Sequence, residues 1–545
     1  MNEAKRPWSV LLLPLVLGLA LAVGFLAGAR FGTPRVVSAG LFSFHRDRPV
    51  DKLDQVIDLI DRNYVDSVKE GELVDGVLQD MLQKLDPHSY YISAKDLSAA
   101  QEPLEGSFMG IGVEFAIQRD TIVVISPVEG GPSEKLGIRA GDRIISADGK
   151  SLAGVKIANE DVMKALRGPS GSSVTVAILR NGGKPFDVTI ERGEIPINSI
   201  AVSLLDADGT GYIKLSRFAR TTEEEFDRAA DHLLDQGMKR LVLDLRGNGG
   251  GYLNAAKSLC DRLLPAGQRI LYTQGRSSPR RDYFAEGGGP LTKLPLALLI
   301  DEGSASASEI VAGAIQDNDR GLVVGRRSFG KGLVQEHMEL EDHSAVRITT
   351  ARYYTPSGRS IQRPYGEGID YDEDMSGRFD HGEFLHADSI HVDSSLKYAT
   401  LKGRTVYGGG GIIPDLFVPA DTAERSAYLT EVFFSGAINQ FAFDQADRQR
   451  QRLQAFGSPE RFAQEYTVTS AMLAELAQAA DKLGVRPDPA GLARSGHLIA
   501  ERLKAGIARN IWGDAGYYRI SIATDSIYKA ARSAMEAGLA GGQQP

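Results

Sequence analysis

The run Asp301-Glu302-Gly303-Ser304-Ala305-Ser306-Ala307-Ser308-Glu309 holds three serine hydroxyls, and Phe329-Gly330-Lys331-Gly332-Leu333-Val334-Gln335 follows it with a lysine among apolar residues and glycines. A serine hydroxyl attacks well only when a base takes its proton, and a lysine is such a base only when neutral near pH 7. Its ordinary pKa of about 10.4 must then fall by roughly three units through burial. Phe329, Leu333 and Val334 supply apolar cover, and Gln335 can hydrogen-bond an amine without charging it. On one helical turn, Lys331 and Gln335 would be i and i+4 neighbours. The serines stand between Leu294–Ile300, a continuous apolar run that reads as a buried strand, and Ser308–Ile315, whose apolar spacing is helical. Unpaired N–H groups at a helix start offer donors to an oxyanion. Each motif alone has a blander reading, the serines as helix caps and the lysine as a solvated turn residue. Together they predict a serine hydrolase that uses no histidine.

S-A-S-A-S-E followed by F-G-K-G-x-V-Q resembles the C-terminal processing peptidases, also called tail-specific proteases. The resemblance implies a lysine base about 25 residues after the serine nucleophile, and 331 − 25 = 306. It therefore assigns Ser306 as nucleophile, Lys331 as general base and Gln335 as the residue that orients the lysine. Leu241-Val242-Leu243-Asp244-Leu245-Arg246-Gly247-Asn248-Gly249-Gly250-Gly251 is similar to the family's D-L-R-x-N-x-G-G signature, a strand running into a glycine turn before a helix from Asn254 to Leu264. The same resemblance implies an oxyanion hole from the amides of Gly249, Gly250 and Ala307. A phosphate-binding loop is the other reading of such a turn. Against it, Tyr252 stands where a G-x-G-x-x-G frame begun at Gly247 needs its last glycine, and no Walker G-K-[ST] occurs. Asp86-Pro87-His88-Ser89, the run Thr355–Gln362 and Gly411-Ile412-Ile413-Pro414-Asp415 also resemble family landmarks. They read as scaffold, with His88 a structural hydrogen-bonder rather than a base.

From Gly106 to about Arg192 the rhythm changes to short alternating runs broken by turns at Asp148-Gly149 and Gly182-Gly183, as in a small, mostly β domain. Met109-Gly110-Ile111-Gly112-Val113 resembles the carboxylate-binding loop of a PDZ domain, and Gly137–Ile145 its core signature. Such a domain takes an extended C-terminus by strand addition and holds its carboxylate on backbone N–H groups. Arg167, in Leu166-Arg167-Gly168-Pro169-Ser170-Gly171, resembles an R-G-x-x-G segment that some family members use to sense an occupied groove. The alternative is a turn arginine facing solvent.

The 545 residues hold several domains, and fractions of 42% hydrophobic and 24% charged residues are those of a globular protein. A net charge of −9 argues against a nucleic-acid surface. Cys260, the single cysteine, excludes an intrachain disulfide and reads as a buried thiol. Lys5 and Arg6 precede an uncharged apolar run from Trp8 to Ala29, about 22 residues, long enough to span a bilayer. It reads as an uncut signal anchor in preference to a signal peptide cut after Ala29. Helical spacing recurs at Leu53–Ile60 and Val74–Leu85, and amphipathic helices dominate after Asp421, an interaction or oligomerisation module or else a structural cap. Glu367–Asp393 reads as an exposed acidic loop. His381, His386 and His391 within it have no compact metal-ligand spacing, and no metal or cofactor is expected.

The expected architecture is α/β multidomain: residues 1–32 signal anchor or signal peptide, 33–105 N-terminal helical segment, 106–193 inserted mostly-β PDZ domain, 194–420 α/β serine-protease core, and 421–545 helical C-terminal extension. The expected activity is a serine endopeptidase that binds protein C-termini and cleaves upstream of them. The resemblance places it in the periplasm or otherwise outside the cytoplasm, tethered to the inner membrane, with a homo-oligomer admitted. The competing reading is an inactive PDZ scaffold that only binds protein tails.

Overall fold

The computed structural model describes residues 49–539 apart from Asn181 and Ala423. The run Trp8–Ala29 lies outside the described residues, and among those described no helix is long and apolar enough to cross a membrane. Contacts divide the chain into one unit up to Val74 and another from Asp75 onward. In the first, the helix Pro49–Asn63 leaves Leu53, Val56 and Leu59 exposed.

Leu241-Val242-Leu243, Leu296–Ile300 and Leu322-Val323-Val324 are apolar at every position, a pattern that needs cover on both faces of a sheet. They are three strands of a six-stranded sheet. Its order is β1 (Ile200–Leu205), β2 (Thr210–Leu215), β3 (Arg240–Asp244), β4 (Leu296–Ile300), β5 (Leu322–Gly325) and β6 (Leu416–Phe417). β1 runs antiparallel to β2 and the other pairs are parallel. On one face, Leu243, Leu298 and Ile300 pack with Phe226, Leu259 and Val311 from the helices Thr222–Asp235, Leu253–Leu263 and Ala307–Asp317. On the other, Val242, Leu299 and Val324 pack with Ile522, Ile527, Tyr528 and Ala531 from the last two helices, Pro489–Thr524 and Ser526–Glu536. The end of the C-terminal extension thus caps the sheet. Residues from Tyr428 to Ile520 build a separate core around Phe441, Phe462 and Leu503.

A second sheet, all antiparallel, orders Tyr90–Ile92, Ala345–Tyr354, Arg269–Gln274 and Arg281–Phe284, with Leu333–Glu339 also paired to Ala345–Tyr354. The insert has its own core and a sheet ordered Val113–Ile117, Ile122–Pro127, Arg143–Ala147, Ser173–Leu179, Phe186–Glu191. Its first strand is an edge, and a ribbon of Ser107–Gly110 with Gly193–Pro196 carries the chain in and out.

Glu367–Asp393 is not the exposed loop expected. It forms the helix Asp374–Asp380 and buries Arg378 and Glu383. Arg378 and Arg327 both pair with Glu383, and Arg378 donates to the carbonyls of Arg327 and Ser328, which lead into the lysine segment. Ion pairs and carbonyl bonds hold this strap, so a search for apolar periodicity does not find it.

Candidate active site

Ser306 caps the N-terminus of the helix Ala307–Asp317 with φ 56° and ψ −112°, a conformation costly for a residue with a Cβ. Four bonds hold it there: its N–H donates to Glu309 Oε2 (2.8 Å), and its carbonyl accepts from the Tyr353 hydroxyl (3.2 Å) and the N–H groups of Glu309 (2.9 Å) and Ile310 (3.0 Å). The neighbouring serines are fully buried. Ser304 Oγ donates to the Leu245 carbonyl (2.9 Å) and Ser308 Oγ to the Asn248 carbonyl (2.8 Å). Of the three, only Ser306 lines the cleft of about 390 Å³ that also contains Gly249, Gly250, Lys331, Gln335 and Arg347.

The glycine turn abuts this serine. At Gly250, with φ 101°, a Cβ would stand 2.8 Å from both Ser306 Cβ and the Ala305 carbonyl oxygen, so a side chain there collides with the serine turn. Gly250 N–H already donates to Asn248 Oδ1 (2.9 Å), whereas Gly249 and Ala307 N–H have no acceptor among the described residues. Arg246, just before the turn, clamps Asp244 and reaches Asp525 (2.7 Å). Burial alone would raise the Asp244 carboxyl, but the charges of Arg246 and Lys214 and hydrogen bonds from Arg246 and Tyr212 outweigh it and hold the group far below the usual range.

Lys331 enters from the loop before strand Leu333–Glu339, and its Nζ meets Gln335 Oε1 at 3.1 Å. The two do not share a helical turn, because Gln335 lies in the strand. A register shift between Val334 and Gln335, where this strand pairs with Ala345–Tyr354, accompanies the contact instead. Gln335 Nε2 donates to the His88 carbonyl, which turns Oε1 toward the amine. The Asp86 carboxylate sets that carbonyl by accepting from the N–H groups of His88 (2.8 Å) and Ser89 (2.9 Å). The His88 ring meets the Tyr371 hydroxyl (2.9 Å), and burial with the nearby Lys331 charge lowers its pKa to about 4.

Burial lowers the Lys331 pKa, and the Arg347 guanidinium lowers it further, against opposing pulls from Asp86 and Glu309. Arg347 is held by the Tyr90 hydroxyl at 2.7 Å. Glu309 is wholly buried and takes four donors on its two oxygens. Ser306 and Lys331 N–H reach Oε2 (both 2.8 Å), while Ser328 Oγ (2.5 Å) and Gly330 N–H (2.7 Å) reach Oε1. Burial lifts its pKa to about 7 although these bonds favour the anion. One carboxylate therefore joins the backbone of the serine to the backbone of the lysine. Sequence reasoning missed Glu309 and Arg347 as parts of the site. A glutamate three residues after a serine at a helix start is the capping-box pattern, which points to the Glu309 bond but not to its reach across to Lys331.

The other landmarks brace this frame. Asp317, ending the serine helix, binds Arg359 (2.7 Å) and both Ser357 N–H and Oγ, while Ile412 exchanges bonds with Ser328. In the insert, Met109 and Gly110 lie in the ribbon, Ile111 and Gly112 in the loop, and Val113 opens the edge strand. Arg167 does not face solvent alone: it pairs with Glu102 (2.6 Å) and lies 4.2 Å over the Phe108 ring. His381 and His391 meet edge to face, and among the described residues no three ligand-type side chains are grouped to hold a metal. Cys260 is buried in the main core.

Residues 209–375 match peptidase family S41, residues 109–191 the PDZ domain, residues 39–96 the N-terminal domain of the activating protease CtpB, and residues 428–513 a family of unknown function. The chain is 36% identical to the carboxy-terminal processing protease CtpB of Bacillus subtilis, over 58% of this chain and 66% of that protein. It is 35% identical to a carboxy-terminal-processing protease of Bartonella bacilliformis, over 62% of this chain and 79% of that one. A strand-turn-helix serine on a mixed α/β core that carries a PDZ domain is the build of a serine peptidase. The chain belongs to the carboxy-terminal processing proteases of peptidase family S41.

Proposed function

We propose that this protease works through a Ser306–Lys331 dyad and trims protein tails whose C-termini its PDZ domain has bound. In this reading, neutral Lys331 takes the Ser306 proton as Oγ bonds to the scissile carbonyl. The resulting oxyanion sits on the N–H groups of Gly249 and Ala307, with Gly250 supporting the turn. The lysinium then protonates the leaving amine, and neutral Lys331, so regenerated, deprotonates the water that hydrolyses the acyl-enzyme. Gln335 fixes the amine without charging it. No cofactor enters these steps. The observation that carries the reading is that one cleft holds the strained serine and a lysine whose charge is disfavoured by burial and by Arg347.

The carboxylate end of the tail is assigned to the loop Met109–Val113, with the tail added to the edge strand Val113–Ile117. An extracytoplasmic setting with a membrane tether at Trp8–Ala29, and a homo-oligomer using the exposed Leu53, Val56 and Leu59, complete the proposal. In the test, Ser306→Ala and Lys331→Arg should each abolish cleavage, the latter because a guanidinium stays protonated. Ser304→Ala and Ser308→Ala should keep a substantial fraction. A free-acid substrate should be cut faster than its C-terminal amide, by the roughly 1.5–3 kcal/mol of a charge-assisted bond. Full activity in Ser306→Ala would exclude the nucleophile, and equal rates on acid and amide would exclude tail recognition.

A further inference from the structure

The family of unknown function matched by residues 428–513 lies between two unlike neighbours. Toward the protease sheet the extension is joined by a shared apolar core, in which Ile522, Ile527 and Tyr528 pack on Val242, Leu299 and Val324. Arg519 pairs with Asp206 there (2.8 Å), and Asp525 with Arg246 beside the glycine turn. Toward the PDZ domain the two apolar cores stay separate; the long helix runs beside the strand Ile122–Pro127, and charged pairs span the contact. Arg119 meets Asp444 (2.5 Å), Arg143 meets Asp447 (3.5 Å), and Arg509 meets Glu114 (3.4 Å).

These pairs are half-buried to exposed. Exposed pairs of this kind hold weakly and are screened by salt, whereas the apolar face is not. The extension is therefore built into the protease on one side and only clipped to the PDZ domain on the other. Two of the three pairs reach the edge strand or its turn, through Glu114 and Arg119, and the third reaches Arg143 on an inner strand. Arg509 further pairs with Asp514 (3.3 Å) across Trp512 and Gly513, the two non-helical residues of its long helix.

We infer that the helical extension is an intramolecular docking face that holds the PDZ domain by ion pairs in one orientation over the protease and releases it without unfolding either part. The consequence for cleavage rests on the tail-binding reading above; the docking itself does not.

Spin labels on Lys150→Cys in the PDZ domain and Glu224→Cys in the protease core, both exposed positions, read the arrangement in the full-length protein. A narrow distance distribution is expected at low salt. It should broaden at about 1 M salt, where the Debye length is about 3 Å, and in Asp444→Arg/Asp447→Arg. Adding Arg119→Asp/Arg143→Asp to that variant should narrow it again. The reversed variant should also cut a tail-bearing protein several-fold more slowly while a fluorophosphonate acylates it at the wild-type rate. A distribution indifferent to salt and to charge reversal, or no recovery in the swapped variant, would overturn the inference. If the tail-binding reading alone is wrong, the distance results stand and the acid and amide substrates are cut equally.

Discussion

Glu309 is the residue on which serine and lysine both hang. All four of its partners donate, so only an acceptor on both oxygens satisfies them. In Glu309→Gln the amide NH₂ must face either the N–H groups of Ser306 and Lys331 or the Ser328 hydroxyl and the Gly330 N–H, leaving at least one buried N–H unpaired. At about 1–3 kcal/mol for an unpaired donor, turnover is expected to fall about tenfold or more, and wild-type turnover would show that the bridge does not matter. As the proposed base, Lys331 acts only when neutral, so acylation should rise with pH along a limb well below that of free lysine. Arg347→Ala removes a charge that disfavours the lysinium, and the limb should move to higher pH; an unmoved limb would remove Arg347 from the account. Stability runs the other way. The Glu309 pKa rises on folding from 4.5 to about 7, so its contribution is fully present below about 4.5 and lost as pH passes about 7. Denaturant titrations should show that loss, about 3 kcal/mol, in the wild type and not in Glu309→Ala.

Among the elements, the helix Leu97–Glu105 joins the PDZ domain to the cleft. Glu102 pairs with Arg167, Glu105 accepts from the Tyr252 hydroxyl (2.9 Å), Gln101 meets His337 (3.1 Å) and Leu104 lines the cleft. If the Arg167–Glu102 pair transmits tail binding, Arg167→Ala and Glu102→Ala should slow free-acid substrates equally, and the double variant no further. Additive losses would mean the two act separately. The main strands and the serine helix were legible because buried runs of Leu, Val and Ile carry their own period, as Leu296–Ile300 and Ile310-Val311 do. The lysine and glutamine were legible as neighbours, but not the register shift beside Gln335 or its bond to the His88 carbonyl, which joins residues 247 apart in sequence. The strap around Arg378 was illegible because polar groups, not periodic apolar ones, hold it down.

At the scale of the whole molecule, the protease sheet takes its second cover from the C-terminus. Deleting residues 514–545 bares Val242, Ala297, Leu299 and Val324. At about 1.5–3 kcal/mol for each large apolar side chain, that loss rivals the whole stability of a domain, about 5–15 kcal/mol. The truncated chain should lack a cooperative thermal transition. A folded, active truncation would show that the last helices are dispensable to the sheet.

In the proposed mechanism a neutral Lys331 makes Ser306 the nucleophile. The direct measurement is the mass and site of the adduct formed with a fluorophosphonate probe across a pH series, in wild type and Lys331→Ala. One adduct on Ser306, forming faster as pH rises and absent in Lys331→Ala, is the predicted result. An adduct on another residue, or an unchanged rate without the lysine, would contradict it.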